Sequence, residues 1–86
     1  MAKVVMYSTQ VCPYCVQAKR LLNKKGVAFE EIDVSRNAEL RRKVVQMSGG
    51  RMTVPQIFVD DAYIGDCDEI HALDRAGKLD PLLKLA

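Results

Sequence analysis

The order of apolar and polar residues divides this chain into segments of two periods. Val4-Val5-Met6-Tyr7 is a short apolar run ending at Ser8-Thr9-Gln10, and it predicts a buried strand. Pro13 stands where the first turn of a helix begins, and Cys15, Val16, Ala18, Lys19, Leu21 and Leu22 follow with helical spacing. Lys24 and Lys25 place cations in the last turn, and Gly26 supplies a left-handed cap. Ala28-Phe29-Glu30-Glu31-Ile32-Asp33-Val34 alternates in part and predicts a second strand. Strand, helix and strand within about 30 residues make a βαβ unit, hence a parallel pair with a right-handed crossover.

Asn37 to Ser48 predicts a second amphipathic helix with Leu40, Val44, Val45 and Met47 facing inward, stopped by Gly49-Gly50. Val54-Pro55-Gln56-Ile57-Phe58-Val59 predicts a third strand. Asp60-Asp61 turns it into Ala62-Tyr63-Ile64, so these two strands run antiparallel. Asp66 to Ala76 predicts a third helix, with Gly77 after it. Asp80-Pro81 predicts a short last one, with an acidic N-cap and proline at the first helical position. The order βαβαββα(α) predicts an α/β fold with a four-stranded mixed sheet and helices on both faces.

Composition narrows the class. The 86 residues fit one small domain, 1–86, with a modest core. Three cysteines are too few, and odd in number, for a secreted disulfide framework; they point to a reactive or metal-binding thiol. Thirteen basic against eleven acidic residues leave a net charge of +2, too small to imply nucleic acid or an anionic membrane. The first eight residues hold too short an apolar run for a signal peptide, and nothing approaches the roughly 20 apolar residues of a membrane helix. The expectation is a soluble protein of a reducing compartment, most simply bacterial cytoplasm.

The strongest local signal is Cys12-Pro13-Tyr14-Cys15, between the first strand and the first helix. Positions i and i+3 on one helical turn lie roughly 5 Å apart at Cα, inside the window a disulfide accepts. Cys12, at the helix N-terminus, faces unpaired backbone N–H groups and the positive end of the dipole, which favour a thiolate. Pro13 has no N–H to lose and sets the turn in advance. A free cysteine is only about 3% thiolate at neutral pH, and helix-terminal sites of this kind raise that fraction greatly. Cys12 is thereby the expected nucleophile. Cys15, one turn further in, is the protonated, shielded, resolving thiol.

Two more segments fall where such a site needs them. Thr53-Val54-Pro55 opens the third strand. X–Pro bonds are trans in all but about 5–6% of cases in folded proteins, whereas a cis Pro55 would free the Val54 N–H and C=O to pair with an extended peptide. Gly65-Asp66-Cys67-Asp68-Glu69 opens the third helix. An Asp N-cap with Glu three residues on reads as simple capping. It also reads as an anion seat, in which exposed N–H groups hold a carboxylate while Asp68 holds a neighbouring ammonium.

These residues, in this order, resemble the glutaredoxin family, specifically its small bacterial dithiol type. The similarity runs nearly end to end: Cys-Pro-Tyr-Cys, then Ala18, Lys19, Leu21 and Leu22, then Thr-Val-Pro-Gln-Ile-Phe, Cys67-Asp68, and Leu79-Asp80-Pro81-Leu82-Leu83. The resemblance implies a thioredoxin-like fold with a cis proline at Pro55. It implies glutathione as co-substrate, lying across Tyr14 and beside Thr53, paired with the Val54 backbone, and held at its γ-glutamyl end by Cys67 and Asp68. Cys67 would act there through its backbone N–H. Arg41, or Arg42, would hold the glycyl end, although Arg41-Arg42-Lys43 also reads as a solvated helix face. The implied partners of this monomer are glutathione and disulfide-containing or glutathionylated proteins, with ribonucleotide reductase among the open candidates. Two departures stand out: Thr9 where many relatives carry lysine, and Asp66 where a glycine is usual.

Other readings share the same residues. Cys12, Cys15, Cys67 and His71 count to four plausible zinc ligands, although the expectation is no metal. An iron–sulfur carrier would use one cysteine per subunit and bridging glutathione, a role that Pro13 and Cys15 work against. A glutaredoxin-like protein reduced by thioredoxin reductase differs only in its reductant.

Overall fold

The computed structural model describes residues 3–83. Met1 and Ala2, at the head of the first apolar run, lie outside the described residues. Strand β1 is Val4–Ser8, helix α1 Pro13–Lys24, β2 Phe29–Asp33, α2 Ala38–Met47, β3 Gln56–Val59, β4 Ala62–Gly65, α3 Cys67–Arg75 and α4 Leu79–Leu82. The sheet order is β2-β1-β3-β4. β1 pairs parallel with β2, with Tyr7 opposite Ile32, and antiparallel with β3, with Val5 opposite Phe58. β3 and β4 form the expected hairpin, and its turn residues Asp60 and Asp61 have φ of 50° and 69°. Both lie in the left-handed region, which a two-residue hairpin turn requires and aspartate tolerates better than most residues.

Strand alternation sorts the core into two sides. Val4, Met6, Ile57 and Val59 point to one face, where they meet Ala18, Leu21 and Leu22 of α1, Cys67 and Ile70 of α3, and Leu79 of α4. Val5, Tyr7 and Phe58 point to the other face. There Tyr7 and Phe58 meet edge to face at 5.4 Å between ring centres, and Tyr63 joins Phe58 at 5.5 Å. Val44 is the buried residue of α2. The helices thus flank the sheet on both sides, as the element order predicts.

Three local expectations are corrected. β3 begins at Gln56 rather than Val54. Pro55 has no N–H to donate to a ladder, and Gln56, opposite Tyr7, is the first residue in register. Met47 is 40% exposed rather than inward, because it sits in the last turn of α2, past the buried strip centred on Val44. The last helix starts at Leu79, with Lys78 at its cap and no side-chain capping bond. Asp80 instead lies inside the first turn, where its carboxylate meets the Lys25 ammonium at 2.9 Å. Lys25 also pairs with Asp74, so one lysine at the end of α1 ties down both α3 and α4.

Leu22 is fully buried in the α1 face of the core. Leu22→Ala should lower unfolding stability by about 2–5 kcal/mol, the usual cost of a lost side chain plus the remaining cavity. Urea titration reads this as a lower midpoint at unchanged slope.

Candidate active site

Cys12 caps helix α1. Its backbone is extended, with φ of −150° and ψ of 99°, while its carbonyl already accepts from Val16 N–H at 3.3 Å. The Cys12 sulfur does what a capping oxygen does elsewhere: it accepts the Cys15 backbone N–H at 3.1 Å. A sulfur that accepts an N–H at a helix mouth is stabilised most when it is anionic. Pro13 occupies the first helical position, where an N–H would have no partner. Across the cleft, the Cys12 sulfur lies 3.9 Å from the Val54 carbonyl.

Cys15 has the opposite environment. It is 2% exposed, and its pKa is pushed up to about 12, first by burial and then by its interaction with the Cys12 sulfur. The Glu31 carboxylate adds to that rise, while a backbone hydrogen bond with Thr9 opposes it. Glu31 is held by the buried Ser8 hydroxyl at 2.9 Å and by Lys19 at 3.2 Å. At neutral pH Cys15 is therefore a thiol. Cys12, Cys15 and Cys67 are free cysteines in this structure.

Beside Cys12 a cleft of about 240 Å³ is lined by Tyr14, Thr53, Val54, Pro55, Asp66, Cys67 and Asp68. Three separate loops build it: the turn before α1, the turn before β3 and the start of α3. The Val54–Pro55 peptide bond is cis. The Tyr14 ring is 57% exposed and stands as one wall. Asp66 caps α3 by accepting the Glu69 N–H at 2.9 Å. The Glu69 carboxylate accepts from Tyr63 Oη at 3.2 Å and faces Arg51 at 3.7 Å, so it is turned toward β4 and the segment before β3. Gly65, at φ +149°, allows this approach: a Cβ there would lie 2.6 Å from the Glu69 Cβ.

Cys67, the first residue of α3, is 3% exposed, and burial followed by the nearby Asp68 and Asp66 carboxylates raises its pKa. Its sulfur lies 3.9 Å from Gln17 Oε1 and 3.6 Å from His71 Nδ1. His71 Nδ1 also lies 2.7 Å from the Cys67 carbonyl, which makes Nδ1 the protonated nitrogen. A zinc site would need Cys12, Cys15, Cys67 and His71 gathered together. Among the described residues no group of three or more His, Cys, Asp or Glu is placed to hold a metal ion.

The fold thus brings six of the sequence-derived positions, Tyr14, Thr53, Val54, Pro55, Cys67 and Asp68, to one cleft beside Cys12. It does not bring Arg41, which is exposed on α2 and does not line that cleft; Arg42 and Lys43 line a separate depression along the same helix. One residue went unremarked in the sequence. Gln56 is 1% exposed, and its amide donates to the carbonyls of Arg51 at 2.8 Å and Thr53 at 3.0 Å. It therefore clamps the segment that presents Thr53 and Val54 to the cleft. A lone amide inside the apolar run Val54–Val59 was the available signal.

A thioredoxin-like α/β fold with a Cys-x-x-Cys dithiol at a helix mouth, beside a cis-proline wall, defines a thiol–disulfide oxidoreductase. The chain belongs to the glutaredoxin family, whose family model matches residues 4–64. It is 52% identical to glutaredoxin 3 of Escherichia coli (strain K12) over 84 residues, spanning 98% of this chain and all of that one. Among solved structures it is similar to a glutaredoxin from Brucella melitensis, with 49% identity and a TM-score of 0.86 over 98% of this chain and 90% of that one. A buckwheat glutaredoxin–glutathione complex superposes with a TM-score of 0.86 at 29% identity, covering 96% of this chain and 77% of that one.

Gln56→Leu should leave the Arg51 and Thr53 carbonyls without their buried donor and lower stability by about 1–3 kcal/mol. Amide hydrogen exchange at residues 51–54 should accelerate more than in the β1–β3 ladder. Uniform acceleration across the sheet would show that Gln56 supports the core generally and not this loop.

Proposed function

We propose that this chain is a glutathione-dependent oxidoreductase that reduces glutathione mixed disulfides and protein disulfides, with Cys12 as nucleophile and Cys15 as resolving thiol. The observation that carries the reading is the Cys12 sulfur, capped by a helix N–H, standing at the mouth of the Tyr14–Val54–Cys67 cleft. The structural similarity to a glutaredoxin solved with glutathione supports the tripeptide as its occupant. In this reading residues 1–86 act as one glutaredoxin domain, in the cytoplasm, as a monomer.

On a glutathionylated substrate the Cys12 thiolate attacks the glutathionyl sulfur. One S–S bond forms as the other breaks, and the substrate leaves as thiolate and takes a proton from water. A second glutathione thiolate then attacks the glutathionyl sulfur on Cys12, releasing glutathione disulfide and restoring the Cys12 thiolate. The tripeptide pairs with the Val54 backbone, packs on Tyr14 and beside Thr53 and Pro55, and sets its α-carboxylate on the N–H groups opening α3, Cys67 among them. Asp68 receives its ammonium. Arg41, on α2, does not line this cleft, and its contact with the glycyl carboxylate is the part of the reading with no support in the lining.

On a protein disulfide, Cys12 forms the mixed disulfide and Cys15 displaces it. Cys15 gives up its proton in that step, and the Cys12–Cys15 disulfide is then reduced by two glutathione molecules. In the free dithiol the raised pKa of Cys15 keeps it protonated, which leaves Cys12 as the sulfur that attacks first. Protein disulfide substrates, for which ribonucleotide reductase is one candidate, meet the same sulfur.

Two variants separate the routes in an assay coupled to glutathione reductase. Cys12→Ser should abolish both activities, whereas Cys15→Ser should retain deglutathionylation and lose protein disulfide reduction. A fully active Cys12→Ser protein would falsify the assignment.

Asp66 places a second carboxylate beside the seat of an anion. Asp66→Gly should cost only a few tenths of a kcal/mol in stability, since glycine is a tolerated N-cap. It should also tighten glutathione binding, read as a several-fold lower KM for glutathione at low salt. An unchanged KM removes the repulsive role of Asp66.

A further inference from the structure

Helices α1 and α3 both begin at the redox site: Cys12 caps one and Cys67 opens the other. They pack against each other, and a groove of about 300 Å³ runs between them, lined by Gln17, Arg20, Leu21, Lys24, His71 and Asp74. The Cys67 side chain is the partition between groove and cleft. It lines the cleft, and its sulfur touches Gln17 and His71, which line the groove. Cleft and groove are therefore neighbours, separated by the buried Cys67 side chain.

The charge of the groove is unbalanced. Its only lining carboxylate, Asp74, is taken by Lys25, which holds that group's pKa below the usual carboxylate value. Arg20 and Lys24, one turn apart, close no ion pair among the described residues. The cleft itself has the reverse sign, with Asp66 and Asp68 on its rim. The two neighbouring depressions thus carry charge of opposite sign.

We propose that the α1/α3 groove is a secondary docking surface for the acidic segment of a protein substrate whose disulfide or glutathionylated cysteine is at Cys12. This rests on the thiol–disulfide exchange assigned above. The spacing follows from geometry. Arg20 and Lys24 lie eight and twelve residues beyond Cys12 on α1, about 12 and 18 Å along the axis at 1.5 Å per residue. An extended chain covers roughly 3.3 Å per residue, so the acidic side chains stand about four to six residues from the target cysteine.

The test compares two glutathionylated peptides of equal length, one with paired glutamates at that distance on both sides of the cysteine and one with glutamines in their place. The parent protein should prefer the acidic peptide about fivefold in kcat/KM at low salt, the size expected of two exposed ion pairs. The preference should fade near 1 M salt, where the screening length falls to about 3 Å. In Arg20→Gln/Lys24→Gln the ratio should fall to one, while activity on a small glutathione mixed disulfide stays at the parent level. A parent ratio of one, or a preference retained in the double variant, overturns the groove alone. A parent inert toward the small mixed disulfide overturns the exchange reading and the groove with it.

Discussion

The hydrogen bond from the Cys15 N–H to the Cys12 sulfur is the contact on which the site depends. It places a soft, reactive atom where helices ordinarily hold an aspartate or serine oxygen, so helix geometry and thiol chemistry are satisfied together. Everything near it gives two identical residues different environments. Cys12 is partly exposed and faces N–H groups, while Cys15, one turn on, is buried against carboxylate and apolar neighbours. Sequence chemistry is the same at both positions; the environment is not.

The remainder of the fold holds three loops in register around that sulfur. The hydrophobic face under α1 and α3 fixes where both helices start, and so brings Cys67 and Asp68 opposite the Cys12 turn. Gln56 and Ser48 hold the carbonyl of Arg51, which steadies the segment ahead of Pro55. The amide of Gln56 has its donor side satisfied, while its Oε1 meets no donor among the described residues. Rigid support behind exposed walls is what positions a substrate sulfur in line with a nucleophile.

The charge arrangement gives this member its own character. Two acidic groups at the start of α3, Asp66 and Asp68, line the cleft. Uncommitted cations line the neighbouring groove. Thr9 contributes a backbone hydrogen bond to Cys15 that opposes the rise of its pKa.

Much of this was legible in the residues themselves. The periods of the apolar runs, the Gly26 and Gly77 stops, the hairpin at Asp60-Asp61 and the Cys-Pro-Tyr-Cys turn are local features, set by interactions within a few residues, and their elements stand where they were expected. The tertiary structure decided what local chemistry cannot. It ended the reach of Val54-Pro55 into the sheet, turned Asp80 from a cap into a partner of Lys25, exposed Met47, buried Gln56, and left Arg41 out of the lining of the cleft. Those outcomes depend on which surfaces meet across gaps of many residues, and a one-dimensional pattern carries periodicity but not the distance between two loops.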